Sequence, residues 1–441
     1  MLRQIWGVAV VLSLPAIAAT TAREVTFSKD VLPILQKRCQ GCHRPGEVAP
    51  MSFLTYQDAR PWAKAIREAV LLKRMPPWFA DPAEHGKFTN EGSLAQAEID
   101  TLVAWSDGGA REGAPKDAPK PIEFIDGWSI GKPDVVLEMP SEFQVPASGT
   151  IDYQYILVPT NFAEDKWVEK IELRPGNRKV VHHVVVFARE PGSPYFKVLK
   201  PGVPFPVPDS GKQKKREDTG EGVWWGAPGV EIVATYAPGA VPYQVRPGQA
   251  RLIKAGSDLL LQMHYTANGK AAADRSRIGI VFAKEPPKER VKNMLVYNPF
   301  LRIPPGAPNH RVEARVTLEA PATLTSMFPH MHVRGKGFEY RAVYPTGESE
   351  VLLSVPRYDF NWQLTYYLEQ PKLLPKGTRI ECIAYFDNSP NNPANPDPAA
   401  EVFWGDQTWE EMLAGFLDLA FDPRMDPALL VPRARNPRGG D

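Results

Sequence analysis

The chain has 441 residues, of which 43% are hydrophobic and 23% are charged. These shares exclude a disordered or membrane-embedded protein, and the length predicts about three folded domains at roughly 150 residues each. The 52 lysines and arginines nearly balance the 51 aspartates and glutamates, so no overall positive charge favours nucleic acid as a partner.

Residues 1–22 are typical of a signal peptide. Arg3 precedes an apolar run from Ile5 to Leu14, and small residues follow it. Cleavage after Ala18 or after Ala22 fits this pattern, and an uncleaved signal that anchors the chain is the alternative. We therefore expect a bacterial protein that is periplasmic or secreted. No later stretch reaches the roughly 20 apolar residues of a membrane span, so we expect no span after signal removal.

Residues 23–110 contain a haem-attachment motif. Cys39, Cys42 and His43 form the pattern C-x-x-C-H, in which two thiols bond the vinyl groups of one haem and the histidine ligates its iron. A thioredoxin-like thiol pair is the alternative, but it requires a β-α-β pattern that this segment lacks. Met75, on a stiff Met-Pro-Pro segment, is predicted to be the second axial ligand, with Met51 as its competitor.

Helical periodicity surrounds the haem motif. Ser28 is predicted to cap a helix that leads to the motif, and Ser93 with Gln96 is predicted to open another that stops at Gly108. The segment resembles the class I cytochrome c domains, in which Met75 stands at the position of the axial methionine. The resemblance implies a small all-α domain that carries one covalent haem c.

The composition and the hydrophobic periodicity of the chain change after residue 110. Residues 111–121 are polar and rich in proline, and we interpret 111–133 as a linker. Beyond it, apolar and polar residues alternate in runs that proline and glycine turns separate. The predicted strands are Ile151–Leu157, Trp167–Leu173, Val180–Phe187, Leu259–Tyr265, Val312–Leu318, Phe338–Val343 and Arg379–Phe386.

These strands favour two all-β sandwich domains, jelly-roll-like in type. The first is expected over 134–290 and the second over 291–425, with the division near the proline-rich stretch at 286–305 and a tail over 426–441. The predicted fold class is therefore mixed, with a small all-α cytochrome c domain followed by two β-sandwich domains.

Five histidines lie in or beside the predicted strands. His330 and His332 are alternate residues, so on a strand their imidazoles share one face at metal-binding distance. His182 and His183 are adjacent and should point to opposite faces, unless the strand is distorted or they use different ring nitrogens. His264, alone on its strand, has a hydrogen-bonded core or surface residue as its alternative interpretation. Two further histidines, interpreted as surface or capping residues, are His85 and His310.

The constellation resembles the copper type II, ascorbate-dependent monooxygenases, which include peptidylglycine α-hydroxylating and dopamine β-monooxygenases. The resemblance covers roughly residues 134–425. It implies one copper that three histidines hold and a second copper that two histidines and a methionine hold. The corresponding residues are His182, His183 and His264 for the first copper, and His330, His332 and Met412 for the second.

The resemblance also assigns different tasks to the two coppers. It implies that the second copper binds O2 and hydroxylates a C–H bond, while the first supplies an electron. A thioether beside imidazoles favours Cu(I), the state that must meet O2. Zinc also accepts three histidines, but methionine is a poor zinc ligand.

The sequence departs from the family at positions that bind substrate. The peptide-processing member has an arginine two residues before its H-x-H, where Phe328 stands here, and Leu413–Phe416 lack the family's Asn and Tyr groups. Peptidylglycine is therefore not the expected substrate. Cys382 lacks the family's disulfide partner and is expected to be buried as a small apolar residue.

The sequence thus predicts an exported copper-dependent monooxygenase that hydroxylates a C–H bond of a small organic substrate with O2. The fused haem is predicted to supply electrons in place of ascorbate, because a tethered donor has a millimolar effective concentration. The donor to the haem is not identified. One alternative is a non-catalytic haem and copper protein that relays electrons, and another is an interaction protein that keeps the fold.

Overall fold

A computed structural model describes residues 24–124, 127–197, 199–206, 229–239 and 241–430. The predicted signal peptide lies outside the described residues, as does most of the predicted tail. No helix within these ranges has the length and apolar character needed to cross a lipid bilayer.

The α-helices of the described residues lie before residue 108 and are short. They are α1 (Leu32–Arg38), α2 (Tyr56–Ala59), α3 (Ala63–Leu71) and α4 (Gln96–Asp107). Other helical turns are Phe27–Val31, Arg60–Trp62, Pro82–Glu84, Pro115–Asp117 and Pro427–Leu429. Helix α4 is capped at Ala95, whose amide donates to Glu98, rather than at Ser93. Ser28 lies inside the first helical turn instead of capping it.

The rest of the described chain is built from strands. They are β1 (Val135–Glu138), β2 (Phe143–Val145), β3 (Gln154–Pro159), β4 (Lys166–Arg174), β5 (Val181–Arg189), β6 (Phe205–Pro206), β7 (Val230–Tyr236), β8 (Tyr243–Gln244), β9 (Gln249–Ile253), β10 (Asp258–Tyr265), β11 (Ala272–Asp274), β12 (Arg277–Phe282), β13 (Glu289–Tyr297), β14 (Arg302–Ile303), β15 (His310–Thr317), β16 (Ala322–His330), β17 (Gly335–Val343), β18 (Ser349–Val355), β19 (Tyr366–Leu374), β20 (Arg379–Phe386), β21 (Val402–Phe403) and β22 (Ala414–Phe421). The seven runs that the alternation predicts overlap β3, β4, β5, β10, β15, β17 and β20, with ends that differ by up to three residues.

One long sheet runs through the described strands in the order β1-β12-β4-β9-β13-β22-β16-β19, with β8 beside β4. A five-stranded sheet, β6-β3-β10-β5-β7, and a four-stranded sheet, β15-β20-β17-β18, accompany it. Strand β13 lies within the stretch 286–305 that the sequence suggests as a division. There it pairs in parallel with β9 and antiparallel with β22, so one sheet joins the strands before and after this point.

The five-stranded sheet is buried on both faces. On β5, Val184 and Val186 pack in one core with β4 and β12, whereas Val185 and Phe187 pack in the larger core with the later strands. Successive side chains of a strand point to opposite faces, so a strand with two buried faces is apolar throughout. This explains the unbroken apolar run that follows the histidine pair.

The predicted fold class is wrong. The described chain is mostly strand, and residues 24–110 contain only short helices, with no sizeable all-α domain. Between α3 and α4 the chain leaves the helices and joins the strands, where Phe88 forms a β-bridge with Leu368. Phe79 and Phe88 are buried in the core of the strands. Local helical periodicity could not predict that this segment joins the strands, because the bridge connects residues that are far apart in the chain.

Candidate metal centre

Three predicted ligands meet where β5 begins and β10 ends. His182 and His183 lie on β5 and His264 on β10, and one ring nitrogen of each lies within 4.8 Å of the others. The Nδ1 atom of His183 is 3.1 Å from Nδ1 of His182 and 3.2 Å from Nδ1 of His264. Nitrogens that bind one ion at about 2.0 Å lie roughly 3 Å apart. The three side chains therefore fit a single metal ion.

A β-bulge brings the adjacent histidines to one point. His264 pairs with His183, but the next residue, Tyr265, pairs with Val181, so His182 is the extra residue of β5. Strict alternation would send His182 and His183 to opposite faces. A bulge bends the strand and redirects a side chain, and it is the distortion that the sequence prediction required.

Burial keeps these three imidazoles neutral. It lowers the pKa of His182, and it lowers the pKa of His264 to about 3. Burial also holds the pKa of His183 well below its ordinary value, and the neighbouring histidines add to the effect. A neutral imidazole keeps a nitrogen lone pair, which is the form that binds metal ions.

The second predicted group lies at the end of β16 and just before β22. His330, the last residue of β16, pairs with Ala414, and the carboxylate of Glu411 accepts the backbone amides of both His332 and Met412. All three predicted ligands are buried, and the ring centroids of the two histidines are 5.2 Å apart. Burial lowers the pKa of His330 to about 4 and that of His332 well below its ordinary value.

Hydrogen bonds orient the two imidazoles of this group. Nδ1 of His330 lies 2.7 Å from Oε1 of Gln363, and Nδ1 of His332 lies 3.0 Å from the backbone oxygen of Glu410. Nε2 of His332 is buried and has no hydrogen-bond partner among the described residues. A ring that donates from Nδ1 to a carbonyl presents its Nε2 lone pair, as metal-binding histidines do. The unpaired nitrogen therefore fits a metal ligand.

Glu411 fixes the two segments that carry these ligands. Its fully buried carboxylate accepts the backbone amides of His332 (2.9 Å), Arg334 (2.6 Å) and Met412 (3.3 Å). Burial raises the pKa of Glu411 to about 8, although these donors oppose the rise. Nothing in the sequence marks Glu411, because a glutamate before a predicted ligand gives no sign that its side chain is buried.

Two aromatic rings lie between the histidine groups. The ring centroid of Tyr153 is 4.7 Å from that of His264 and 6.5 Å from that of His332. The ring of Phe360 lies 6.1 Å from His264 and 6.2 Å from His332. Each of these two rings therefore spans, by itself, the space between the groups. Neither Tyr153 nor Phe360 stands out in the sequence.

The haem motif follows α1 in one helical turn. The backbone amide of His43 donates to Cys39 O (2.9 Å), and both Cys39 and Cys42 are half-buried free thiols. The ring of His43 stacks on Phe53 at 4.3 Å between centroids, and its buried Nδ1 has no hydrogen-bond partner in the described part of the chain. Two free thiols and an unpaired imidazole nitrogen in one turn fit a covalent haem.

The two candidate axial methionines have different surroundings. Met51 packs with Cys39 against the core of the helices. Met75 is half-buried in the segment after α3 that leads to the strands. The axial role of Met75 stays a prediction.

The remaining predicted residues lie apart from the histidine groups. His85 is exposed and pairs with Glu91, and His310 is the half-buried first residue of β15. Cys382 is fully buried and has no disulfide partner, as predicted, and it packs against Gly415.

A small cavity adjoins the group that contains His330. Phe328 and Phe416 line it, and their ring centroids are 6.2 Å and 6.4 Å from that of His330. The cavity volume is about 30 Å³, enough for water but not for an organic molecule. An open pocket of about 440 Å³ shares Tyr367 and Asp418 with this cavity. The open pocket has the size of small-molecule sites.

Comparisons with known proteins leave the family open. No family model and no curated protein matches the chain. Among solved structures, the major capsid protein P2 of bacteriophage PM2 is similar at a TM-score of 0.28 and 9% identity, over 66% of this chain and 99% of that chain. A structure of infectious bursal disease virus, Gt strain, has a TM-score of 0.20 and 8% identity, over 72% of this chain and 77% of that chain. Allantoicase has a TM-score of 0.15 and 8% identity, over 56% and 81% of the two chains. Similarity at this level assigns no function.

Proposed function

We propose that the protein is an exported copper-dependent monooxygenase that hydroxylates a C–H bond of a small organic substrate with O2. The observation that carries this proposal is the convergence of five neutral histidines, three buried and two half-buried, in two groups, one of three histidines and one of two near Met412. Soft and borderline ligands of this kind favour copper.

The residues divide among three cofactor sites. Copper bound in the group with Met412 would supply the redox chemistry that activates O2, and the other copper and the haem would supply electrons. The proposed ligands are His182, His183 and His264 for one copper, His330, His332 and Met412 for the other, and Cys39, Cys42, His43 and Met75 for haem c.

The protein's own groups hold the reacting site in place. The Glu410 carbonyl and the Gln363 amide orient the two imidazoles, and Glu411 holds the backbone on either side of them. Phe328 and Phe416 present apolar surface beside His330, which suits an apolar C–H group. We expect substrate to approach from the open pocket, with a shift of these side chains that enlarges the small cavity.

Metal analysis with electron paramagnetic resonance tests the proposal. The protein is matured with haem and loaded with copper as wild type, His330→Ala, His182→Ala and the control His310→Ala, whose imidazole lies apart from both groups. We expect two mononuclear coppers per haem in the wild type and in the control, and the loss of one in each of the other variants.

Substrate screening follows from this result. O2 consumption that depends on an added organic compound, and that His330→Ala abolishes, would establish the monooxygenase. Two coppers without any substrate-coupled O2 consumption would instead favour an electron relay. A single copper, or zinc in its place, would contradict the proposed sites.

A further inference from the structure

The haem motif contacts the strands close to the three-histidine group. A Cβ atom placed on Gly239, just after β7, would lie 3.5 Å from Sγ of Cys42 and 3.8 Å from Cζ3 of Trp362. The thiol and the indole therefore flank the same glycine, whose φ of 78° and missing side chain permit this approach. An ion pair between Arg178 and Glu47 (2.5 Å) holds the haem motif against the beginning of β5.

Trp362 belongs to a short segment, residues 360–363, that also reaches both histidine groups. The ring of Phe360 lies 5.9 Å from that of His182 and 6.2 Å from that of His332. Gln363, at the other end of the segment, is the hydrogen-bond partner of His330. Four consecutive residues thus connect the surroundings of the haem thiol with those of both histidine groups.

We propose that the 360–363 segment couples the haem electronically to the three-histidine site, with Trp362 as the contact at Cys42 and Phe360 as the contact at the histidines. This inference rests on the proposed function, because it requires haem and copper at those residues. The coupled step is a one-electron transfer in which haem iron(II) is oxidised to iron(III) and copper(II) is reduced to copper(I). No atom or proton is transferred.

The geometry favours this route over others. Electron transfer through protein weakens steeply at every gap through space, and an aromatic ring in the gap replaces space with bonded atoms. The ion pair between Glu47 and Arg178 offers another route from Cys42 to His182, but that route adds the backbone from Cys42 to Glu47 and from Arg178 to His182. Phe360 contacts all three histidines of the first group, with centroid separations from His183 and His264 of 6.1 Å.

An anaerobic kinetic experiment tests the coupling. Protein with bound haem and copper(II) receives one electron at the haem from a photochemical donor, and haem absorbance and the copper(II) resonance are followed together. Reoxidation of the haem should match the loss of copper(II), and it should be absent from copper-free protein. Trp362→Leu should slow it by an order of magnitude, and Trp362→Phe by less. The control is Trp128→Leu, because Trp128 is also half-buried but packs against Gly279, and it should leave the rate unchanged.

The outcomes separate this inference from the proposed function. An unchanged rate in Trp362→Leu would overturn the coupling route, as would a copper-loaded wild type in which the haem stays reduced. Neither result would contradict hydroxylation driven by an external reductant, since the experiment contains no O2 and no substrate. Haem and copper contents are measured first in every variant. If Trp362→Leu loses its haem, Phe360→Leu is tested in its place. We expect Phe360→Leu to slow haem reoxidation by the same factor, and an unchanged rate would overturn the coupling route.

Discussion

Replacing Arg251 with methionine should greatly lower the free energy of unfolding. The guanidinium is 1% exposed and forms ion pairs with Glu231 (2.5 Å) and Asp418 (2.9 Å). Without it, the side-chain donors to the Asp418 carboxylate in the described chain are Asn293 and Ser326, which are neutral. Removing one partner of a buried ion pair costs about 3–5 kcal/mol, because the other charge stays buried.

Denaturant unfolding of the metal-free protein measures this loss, and a double-mutant cycle assigns it. Asp418→Asn removes the stranded charge while keeping the side chain's shape, so we expect the double variant to be less destabilised than the two single costs would give together. A cost below about 1 kcal/mol for Arg251→Met, which is the range of exposed pairs, would refute the reasoning. Simple addition of the two single costs would refute it as well.

Three further results are expected. Burial alone would raise the pKa of Glu231, but the neighbouring cations outweigh burial and lower it. The carboxylate therefore stabilises the fold above its ordinary pKa of 4.5, and this stabilisation is lost as the pH falls. Glu231→Gln should flatten the acid side of a plot of unfolding free energy against pH. Glu411→Ala should leave three backbone amides without their acceptor at about 1–3 kcal/mol each, with Glu411→Gln in between, as thermal unfolding of the metal-free protein would report. Met75→Leu should lower the reduction potential of the haem, because a thioether ligand raises it, while potentiometry of Met51→Leu should show no change.

The candidate metal ligands could be proposed from the sequence to different degrees. His330 and His332 were proposed from the two-residue period of a strand, although β16 ends at His330 and His332 lies two residues beyond it. His182 and His183 required a bulge, and a bulge depends on the register with β10, which residues near the pair do not determine. Met412 was proposed as a ligand only through the family resemblance, since a lone methionine is more often a packing residue.

The fold was predictable where the pattern is local and not where distant segments pair. Alternation identified β5 and β10, which carry His182, His183 and His264, but not β16, which ends at His330, and α1 and α4 lie where the helical period indicated. The bridge from Phe88 to Leu368 and the parallel pair of β9 with β13 join distant parts of the chain, and no local pattern encodes them. These pairings join the segment between α3 and α4 to the strands and make one sheet continuous.

Packed side chains fix the distance between the two histidine groups. Tyr153 precedes β3 and its hydroxyl accepts a hydrogen bond from Thr408 (3.2 Å), while Phe360 comes from the loop before β19. The two rings therefore come from different halves of the chain, and each ring contacts histidines of both groups. Tyr153 is buried in the larger core and Phe360 packs against that core, so a change in the separation of the groups would have to disrupt packed side chains. A fixed separation suits transfer between two sites whose distance sets the rate, and it makes the 360–363 segment a structural element of that transfer.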